Sequence, residues 1–293
     1  MCLATPRRVT SPPLCTMLDF LSLTPFFKAP TDISLEYFSF LDPGKTRQNN
    51  EDAALIDESL ALCILADGMG GYNAGEVASE MTVREVRDEF ARWVAAGQVS
   101  TRDQDIRRAL IASAQRANQV VYTAAQRVPE YAGMGTTLVV ALYGMDRFWI
   151  GHIGDSRGYR YREGKLEQIT RDHSLLQDQI DAGLLTPEEA KFSIHRNLVT
   201  RALGVEPMVS LDVSGHDLRA GDVVLLCSDG LSDMLPDAQI AALLGTAAPL
   251  SAQGRALVDA ANAAGGRDNI AVVLTKAHGV PSAPKRSGWL FKR

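Results

Sequence analysis

The chain has 293 residues, 46% of them hydrophobic, and a formal net charge of −5. This is enough for one large domain or two small ones with a sizeable core. The acidic balance argues against a nucleic-acid-binding protein, which needs a basic face. No apolar run reaches the roughly 18 residues of a membrane-spanning helix, so we expect no stable membrane insertion.

In chain order, hydrophobic periodicity first predicts strands at 35–40, 53–56 and 61–66, then helices at about 75–96 and 103–128. Four strands follow at 136–143, 147–153, 158–162 and 165–170. A polar helical stretch at 172–202, broken at Gly183 and Pro187, precedes strands at 208–216 and 222–227. Helices at 236–244 and 250–264 and a strand at 270–276 complete the pattern. Grouped strands with paired helices indicate an α+β fold with antiparallel sheets and helices packed outside.

The two ends of the chain differ from the middle in composition. Residues 1–30 form a predicted disordered leader, although a signal peptide or a true start at Met17 are alternatives. Residues 278–293 contain Lys and Arg but no acid, and we predict a disordered basic tail. A single domain is therefore expected over residues 31–277. The four cysteines form no C-x-x-C pair and have no nearby histidines, which argues against zinc.

Aspartates recur at the ends of apolar strand runs. The set comprises Asp52, Asp67, Asp155, Asp229 and Asp268, with Asp233 four residues after Asp229. Carboxylates at such positions are costly unless something neutralises them. One or two could instead cap a neighbouring helix, but a shared cation explains the whole set better. Oxygen ligands without cysteine or clustered histidine favour Mg²⁺ or Mn²⁺, and the calcium-loop pattern is absent.

Two short motifs suggest other chemistry. Residues 154–158, Gly-Asp-Ser-Arg-Gly, match the G-x-S-x-G nucleophile elbow, which requires a strand-to-helix turn. The following residues predict a hairpin instead, which argues against Ser156 as a nucleophile. Residues 68–70, Gly-Met-Gly, resemble the start of a dinucleotide fingerprint, but the position of its third glycine is Asn73.

Seven short motifs occur in a fixed order over about residues 33–276. They are Gly44-Lys45-Thr46-Arg47 through Asn50-Glu51-Asp52, Asp67-Gly68-Met69-Gly70-Gly71, Gly75-Glu76-Val77-Ala78-Ser79, Met134-Gly135-Thr136-Thr137, Gly154-Asp155-Ser156-Arg157, Ser228-Asp229-Gly230-Leu231-Ser232-Asp233 and Asp268-Asn269. This set resembles the PPM, or type 2C, protein phosphatases, and in particular their bacterial branch. The resemblance implies a four-layer αββα sandwich with two central antiparallel sheets.

The resemblance also implies roles for individual residues. Asp67 would bridge two Mg²⁺ or Mn²⁺ ions with help from the Gly68 carbonyl, and Arg47 would clamp the substrate phosphate. The remaining ligands would be Asp229 and Asp268 for one ion, Glu51 and Asp52 for the other, and Asp155 and Asp233 for a weaker third ion. A metal-bridging hydroxide would then attack the phosphorus of phosphoserine or phosphothreonine.

One feature departs from the family pattern. Relatives carry a histidine, proposed as general acid, in the position of Met69 or of Tyr72. Methionine cannot donate a proton, and a tyrosine with a pKa near 10 is poorly matched to pH 7. A metal-bound water is the remaining alternative, because His173 lies elsewhere in the pattern and is interpreted as structural. Residues 173–201 correspond to the mobile flap of bacterial relatives or to an ordinary pair of connecting helices.

The resemblance predicts a monomeric cytoplasmic enzyme that acts on phosphorylated proteins, including a serine/threonine kinase or its targets, without binding nucleic acid. Two alternatives stay open. A pseudophosphatase that only binds other proteins would have lost a metal aspartate, and none is lost here. A phosphatase for small phosphorylated molecules would carry the same motifs.

Overall fold

The computed structural model describes residues 33–71, 74–186, 189 and 198–279. The predicted leader, nearly all of the predicted tail, Tyr72 and much of the segment 187–197 lie outside the described residues. The domain bounds 31–277 therefore stay a prediction. Within the described residues, no helix is both long enough and apolar enough to cross a bilayer.

The described strands and helices agree closely with the predicted order. The strands are β1 (Ile33–Asp42), β2 (Asp52–Asp57), β3 (Leu62–Met69), β4 (Gly135–Thr136), β5 (Leu138–Tyr143), β6 (Arg147–Ile153), β7 (Arg157–Arg162), β8 (Lys165–Gln168), β9 (Asp212–Asp217), β10 (Val223–Cys227) and β11 (Ile270–Gly279). The α-helices are α1 (Ala74–Ala95), α2 (Asp103–Arg127), α3 (Leu175–Asp181), α4 (Asp229–Ser232), α5 (Asp237–Leu244) and α6 (Leu250–Ala263).

Two antiparallel sheets form the centre of the molecule. One has the strand order β1-β11-β10-β7-β8, and the other has the order β2-β3-β5-β6-β9, with β4 paired to β3. One hydrophobic cluster lies between the sheets, a second joins the β2 sheet to α1 and α2, and a third joins the β1 sheet to α5 and α6. These three cores separate four layers, so the predicted αββα sandwich is confirmed.

Alternation along the strands explains why both faces of each sheet are buried. In β5, Leu138, Val140 and Leu142 belong to the core against α1 and α2. Val139, Ala141 and Tyr143 of the same strand belong to the core between the sheets. Successive side chains of a strand point to opposite faces, so an uninterrupted apolar run is what a strand in this position needs.

Two predicted segments differ from the structure, and one observed helix was not predicted. The long helical stretch 172–202 contains only one described helix, α3, which ends just before Gly183 with a φ of +69°. The predicted strand 208–216 begins four residues later, at Asp212. The short helix α4 was not predicted, because four residues are too few to show a helical period. The predicted turn between β7 and β8 is confirmed, with φ of 49° at Glu163 and 82° at Gly164, as a type I′ turn requires.

Candidate metal centre

The predicted metal aspartates gather at one end of the sandwich, and both sheets contribute. Asp52 begins β2 and lies directly opposite Asp67 near the end of β3. Asp229 follows β10, and Asp268 precedes β11, the antiparallel neighbour of β10. Asp155 lies between β6 and β7, the two strands that carry the chain from one sheet to the other.

Asp52 is the most deeply buried carboxylate of the group, with 6% of its surface exposed. Its Oδ2 accepts a hydrogen bond of 2.8 Å from Ser228 Oγ. Its Oδ1 is buried and has no hydrogen-bond partner within the described part of the chain. Burial, with repulsion from Asp268 and Glu51, raises the pKa of Asp52 to about 7. A buried oxygen of this kind is costly unless a cation satisfies it.

Asp67 and Asp229 are both disfavoured as bare anions. Burial raises the pKa of Asp67 well above its usual range, and repulsion from Asp52 and Asp229 raises it further. Burial also raises the pKa of Asp229 well above its usual range, with further repulsion from Asp155 and Asp233. Carboxylates that repel one another across a site ionise together only when positive charge is supplied.

Asp155 and Asp233 form the outer part of the cluster. Burial, followed by repulsion from Asp172 and Asp233, raises the pKa of Asp155 to about 6. Asp233 is exposed, and its backbone N–H donates to the Asp229 carbonyl at 2.7 Å across the one-turn helix α4. This helix therefore fixes the spacing of Asp229 and Asp233.

Arg47 is an exposed cation at the edge of the cluster. Its Nη2 lies 2.8 Å from Asp268 Oδ2, and the two side chains are 51% and 31% exposed. Burial raises the pKa of the neighbouring Glu51, while Arg47 opposes that shift and Asp268 adds to it. The predicted substrate clamp and two predicted ligands therefore share one corner of the site.

Glycines allow α1 to begin against the end of β3. The Gly68 N–H donates to the Glu51 carbonyl at 3.0 Å. A Cβ on Gly68 would lie 2.1 Å from the Gly75 carbonyl oxygen, and a Cβ on Gly75 would lie 2.8 Å from Glu51 Cδ. The Glu51 side chain could move aside, but a Cβ on Gly75 would also lie 2.9 Å from the backbone carbonyl carbon of Gly68. Backbone therefore blocks a side chain at both glycines.

Two polar residues support the site without having been predicted to do so. Asn269 Nδ2 donates to the carbonyls of Pro43 and Asn49, and its Oδ1 accepts the Glu51 N–H at 2.8 Å. It thereby holds the loop that carries Arg47. Ser228 orients Asp52. Asn269 belongs to one of the seven motifs, but the sequence alone does not predict its role, because its hydrogen-bond partners lie over 200 residues away.

The structure excludes the serine-nucleophile and dinucleotide-binding interpretations of the two short motifs at residues 154–158 and 68–70. Arg157 begins strand β7 rather than a helix, and Ser156 is 1% exposed, with its Oγ 2.7 Å from Thr137 Oγ1. A serine elbow would present an exposed hydroxyl at a strand-to-helix turn. The Gly68-Met69-Gly70 segment does join a strand to a helix, but its sheet is antiparallel, unlike a dinucleotide fold.

Relatives carry a histidine, the proposed general acid, at the position of Met69 or Tyr72. Among the described residues, no histidine replaces it there. Met69 is partly buried at the end of β3, and Tyr72 lies outside the described residues. His173 is 1% exposed, and its two ring nitrogens contact the Gly154 N–H and Asp212 Oδ2. A buried ring with both nitrogens engaged fits the predicted structural role.

The chemistry of the donor set, six aspartates and a glutamate, suits a divalent metal. The pKa values of Glu51, Asp52, Asp67, Asp155 and Asp229 are raised, and the buried Asp52 Oδ1 has no hydrogen-bond partner among the described residues. Hard oxygen ligands of this kind bind Mg²⁺ or Mn²⁺. The αββα fold and this centre together define a metal-dependent hydrolase.

Comparison with known proteins shows which family of metal-dependent hydrolases this chain belongs to. The protein phosphatase 2C family model matches residues 45–274. The serine/threonine phosphatase stp of Listeria innocua is 37% identical over 238 residues, covering 80% of this chain and 93% of that protein. The S. agalactiae serine/threonine phosphatase structure is 36% identical, with a TM-score of 0.77 over 83% of this chain and 99% of that one.

A further solved relative contains metal. The catalytic domain of the serine/threonine protein phosphatase PstP, in complex with two manganese ions, is 36% identical, with a TM-score of 0.73 over 84% of this chain and 99% of that one. The chain belongs to the protein phosphatase 2C family. It is a metal-dependent protein serine/threonine phosphatase.

Proposed function

We propose that Asp67 is the central ligand of two divalent ions, with the Gly68 carbonyl beside it. Asp229 and Asp268 complete one site, Glu51 and Asp52 serve the other, and Asp155 and Asp233 hold a weaker third ion. The observation that carries this proposal is the group of mutually repelling carboxylates around the partnerless Oδ1 of Asp52. Bound ions of this kind supply an activated water and neutralise charge on the phosphoryl oxygens.

Arg47 is proposed to bind the substrate phosphate. The guanidinium has five N–H donors in a planar fork that suits phosphate, and only Nη2 is used by Asp268. Its side chain is 51% exposed at the mouth of the cluster, so it can reach a phosphate presented from solvent. Asp268 would hold the guanidinium in place while the remaining donors face the substrate.

The cellular setting is proposed from the same relatives. Manganese in the PstP relative supports Mn²⁺ as the assay ion, while Mg²⁺ has the same ligand preference. We propose a monomeric cytoplasmic enzyme that removes phosphate from targets of a serine/threonine kinase, or from the kinase itself. Cys63 and Cys227, both free and buried, fit a reducing compartment.

The test is turnover of a phosphothreonine peptide with Mn²⁺, followed by EDTA. We expect activity with Mn²⁺ and its loss in EDTA, and Asp67→Asn or Asp229→Asn should keep less than about a tenth of it, because metal activation is worth several kcal/mol. Asp259→Asn, which removes an exposed carboxylate on α6, is the charge-matched control and should stay active. An Asp67→Asn protein with full activity would refute the metal assignment.

The same assay separates the alternative substrate class. Small phosphate esters are offered in place of the peptide under identical Mn²⁺ conditions. A protein phosphatase should have the higher kcat/KM for the phosphopeptide. Turnover of small esters alone would instead support an enzyme for small phosphorylated molecules.

A further inference from the structure

His173 holds Gly154 from both sides of its peptide backbone. The His173 N–H donates to the Gly154 carbonyl at 2.9 Å, and the Gly154 N–H donates to His173 Nδ1 at 3.2 Å. The ring is 1% exposed, so these bonds are shielded from water. The residue immediately after Gly154 is Asp155, a proposed ligand of the third metal ion.

The direction of these bonds determines the tautomer of the ring. Because Nδ1 accepts the Gly154 N–H, it carries no proton, and Nε2 must carry the hydrogen that it donates to Asp212 Oδ2 at 3.1 Å. The neighbouring His152 ring stacks on it with 4.7 Å between centroids and 19° between planes. Burial lowers the pKa of His173, which favours this neutral form.

The Gly154 backbone needs such support. Its φ of +100° lies in the left-handed region, and a Cβ there would lie 2.7 Å from Thr137 Cγ2. The chain therefore turns sharply between β6 and the Asp155 carboxylate. With both Gly154 peptide groups bound to one buried residue, the turn has a single orientation, and so does the Asp155 that follows it.

The same histidine lies at the base of the 174–199 segment. Its carbonyl accepts the Thr200 N–H at 2.8 Å, and Ser174 and Val199 form an adjacent antiparallel bridge. The preceding residue, Asp172, accepts hydrogen bonds from Nε and Nη2 of Arg157, which lies two positions after Asp155. The Asp155 loop and the base of this segment are therefore one bonded unit.

A second metal site at this place is the competing interpretation, since ligand atoms of His152, His173 and Asp212 lie within 4.8 Å of one another. The chemistry does not support it. His173 Nε2 carries a proton in this tautomer, and the Arg201 guanidinium lies 3.5 Å from both His173 Nε2 and Asp212 Oδ1. The positive charge of Arg201 therefore already lies beside two of the three candidate ligands.

We propose that His173 is a positioning residue for the third metal ion, acting through the Gly154 peptide on Asp155. This rests on the proposed function, in which Asp155 is a metal ligand. The test compares His173→Asn, whose Oδ1 can replace Nδ1 as the acceptor, with His173→Gln, whose amide lies at the position of Nε2. Calorimetric Mn²⁺ titration of the purified proteins measures the affinity of the weakest site without depending on turnover.

Loss of a group that orients a ligand typically weakens metal binding by 10–100-fold. We expect His173→Gln to weaken the weakest Mn²⁺ site about tenfold or more, and His173→Asn to retain nearly wild-type affinity. Thermal melts check that both variants are folded. Equal Mn²⁺ binding in the two variants would overturn the proposal.

Two further measurements distinguish a failure of the His173 proposal from a failure of the proposed metal sites. The ¹⁵N spectrum of histidine-labelled wild-type protein should show His173 as the neutral Nε2–H tautomer, and an Nδ1–H signal would overturn the proposal even if both variants unfold. Asp155→Asn should remove the weakest Mn²⁺ site. If that site survives, Asp155 is not its ligand, and the proposed third metal site fails together with this inference. A wild type that binds no Mn²⁺ would refute the proposed function as a whole.

Discussion

Arg47 reaches the site from a loop rather than from a strand end, which makes its position depend on few contacts. Asn269 ties that loop to the start of β11, and Asp268 holds the guanidinium by one hydrogen bond. An exposed ion pair of this kind adds little to stability, typically below about 1 kcal/mol. We therefore expect Arg47 to contribute to substrate binding rather than to stability, so that Arg47 can be substituted without unfolding the protein.

We predict that Arg47→Ala raises the KM for a phosphopeptide about tenfold or more, because a charge-assisted hydrogen bond is worth about 1.5–3 kcal/mol. Arg47→Lys should recover only part of the loss, since an ammonium lacks the planar fork. Steady-state kinetics with Mn²⁺ provide the measurement. Arg84→Ala, which removes an exposed arginine of α1, is the control. An unchanged KM in Arg47→Ala would remove this residue from the phosphate site.

The junction of β3 and α1 is a structural element that supports the proposed metal centre. β3 delivers Asp67, and α1 starts close enough for the Gly75 carbonyl to lie against Gly68. The Ser79 hydroxyl of α1 also donates to the Glu51 carbonyl at 2.6 Å. Strand, loop and helix are thus packed backbone to backbone, and no side chain fits between them.

Gly68→Ala should therefore disrupt this junction, whereas Gly71→Ala should not. The added methyl would lie 2.1 Å from a backbone oxygen at position 68 but meets nothing within 4 Å at position 71. We expect Gly68→Ala to lower the free energy of unfolding by about 1–3 kcal/mol and to weaken Mn²⁺ binding. Urea denaturation and Mn²⁺ titration check this. Equal stability of the two variants would contradict the packing argument.

For the whole molecule, the buried carboxylates of the proposed metal centre oppose folding when they are charged and no cation is present. Burial raises the pKa of Asp52 to about 7 in the folded protein against 3.8 as its ordinary value, and burial also raises the pKa values of Asp67 and Asp229 well above their usual range. The folded state therefore holds protons that the unfolded state has released. Stability then falls as pH rises through the folded pKa values.

We predict that the protein in EDTA loses thermal stability between pH 7 and 8, and that Mn²⁺ restores it. In this window the histidines whose pKa values are lowered by burial are neutral in the folded state and mostly neutral in the unfolded state, so their opposing contribution is small. Thermal melts at the two pH values, with and without Mn²⁺, provide the measurement. Asp52→Asn should reduce the pH dependence in EDTA. A melting temperature that rises with pH in EDTA would contradict the sign argued here.

The local hydrophobic pattern of the sequence was sufficient to predict most of the strands and helices of the fold. The apolar runs of β3, β5 and β10 were visible in the sequence because burial on both faces demands them. The aspartates near the ends of β3, β6 and β10 predicted the candidate metal centre. Helix α3 and the start of β9 were misplaced. Their polar sequence carries no clear hydrophobic period. The helix α3 ends just before Gly183, whose φ is +69°, whereas β9 begins where Asp212 pairs with His152 of β6.

Only the tertiary structure decided which residues support those aspartates. Ser228 meets Asp52 across 176 positions of sequence, Asn269 meets Glu51 across 218, and His173 meets Gly154 from another element. A candidate metal ligand can be predicted from its own strand, since a carboxylate at the end of a buried apolar run is costly unless a cation neutralises it. A supporting hydrogen bond depends on which strands become neighbours, and that is settled only when the two sheets pack together.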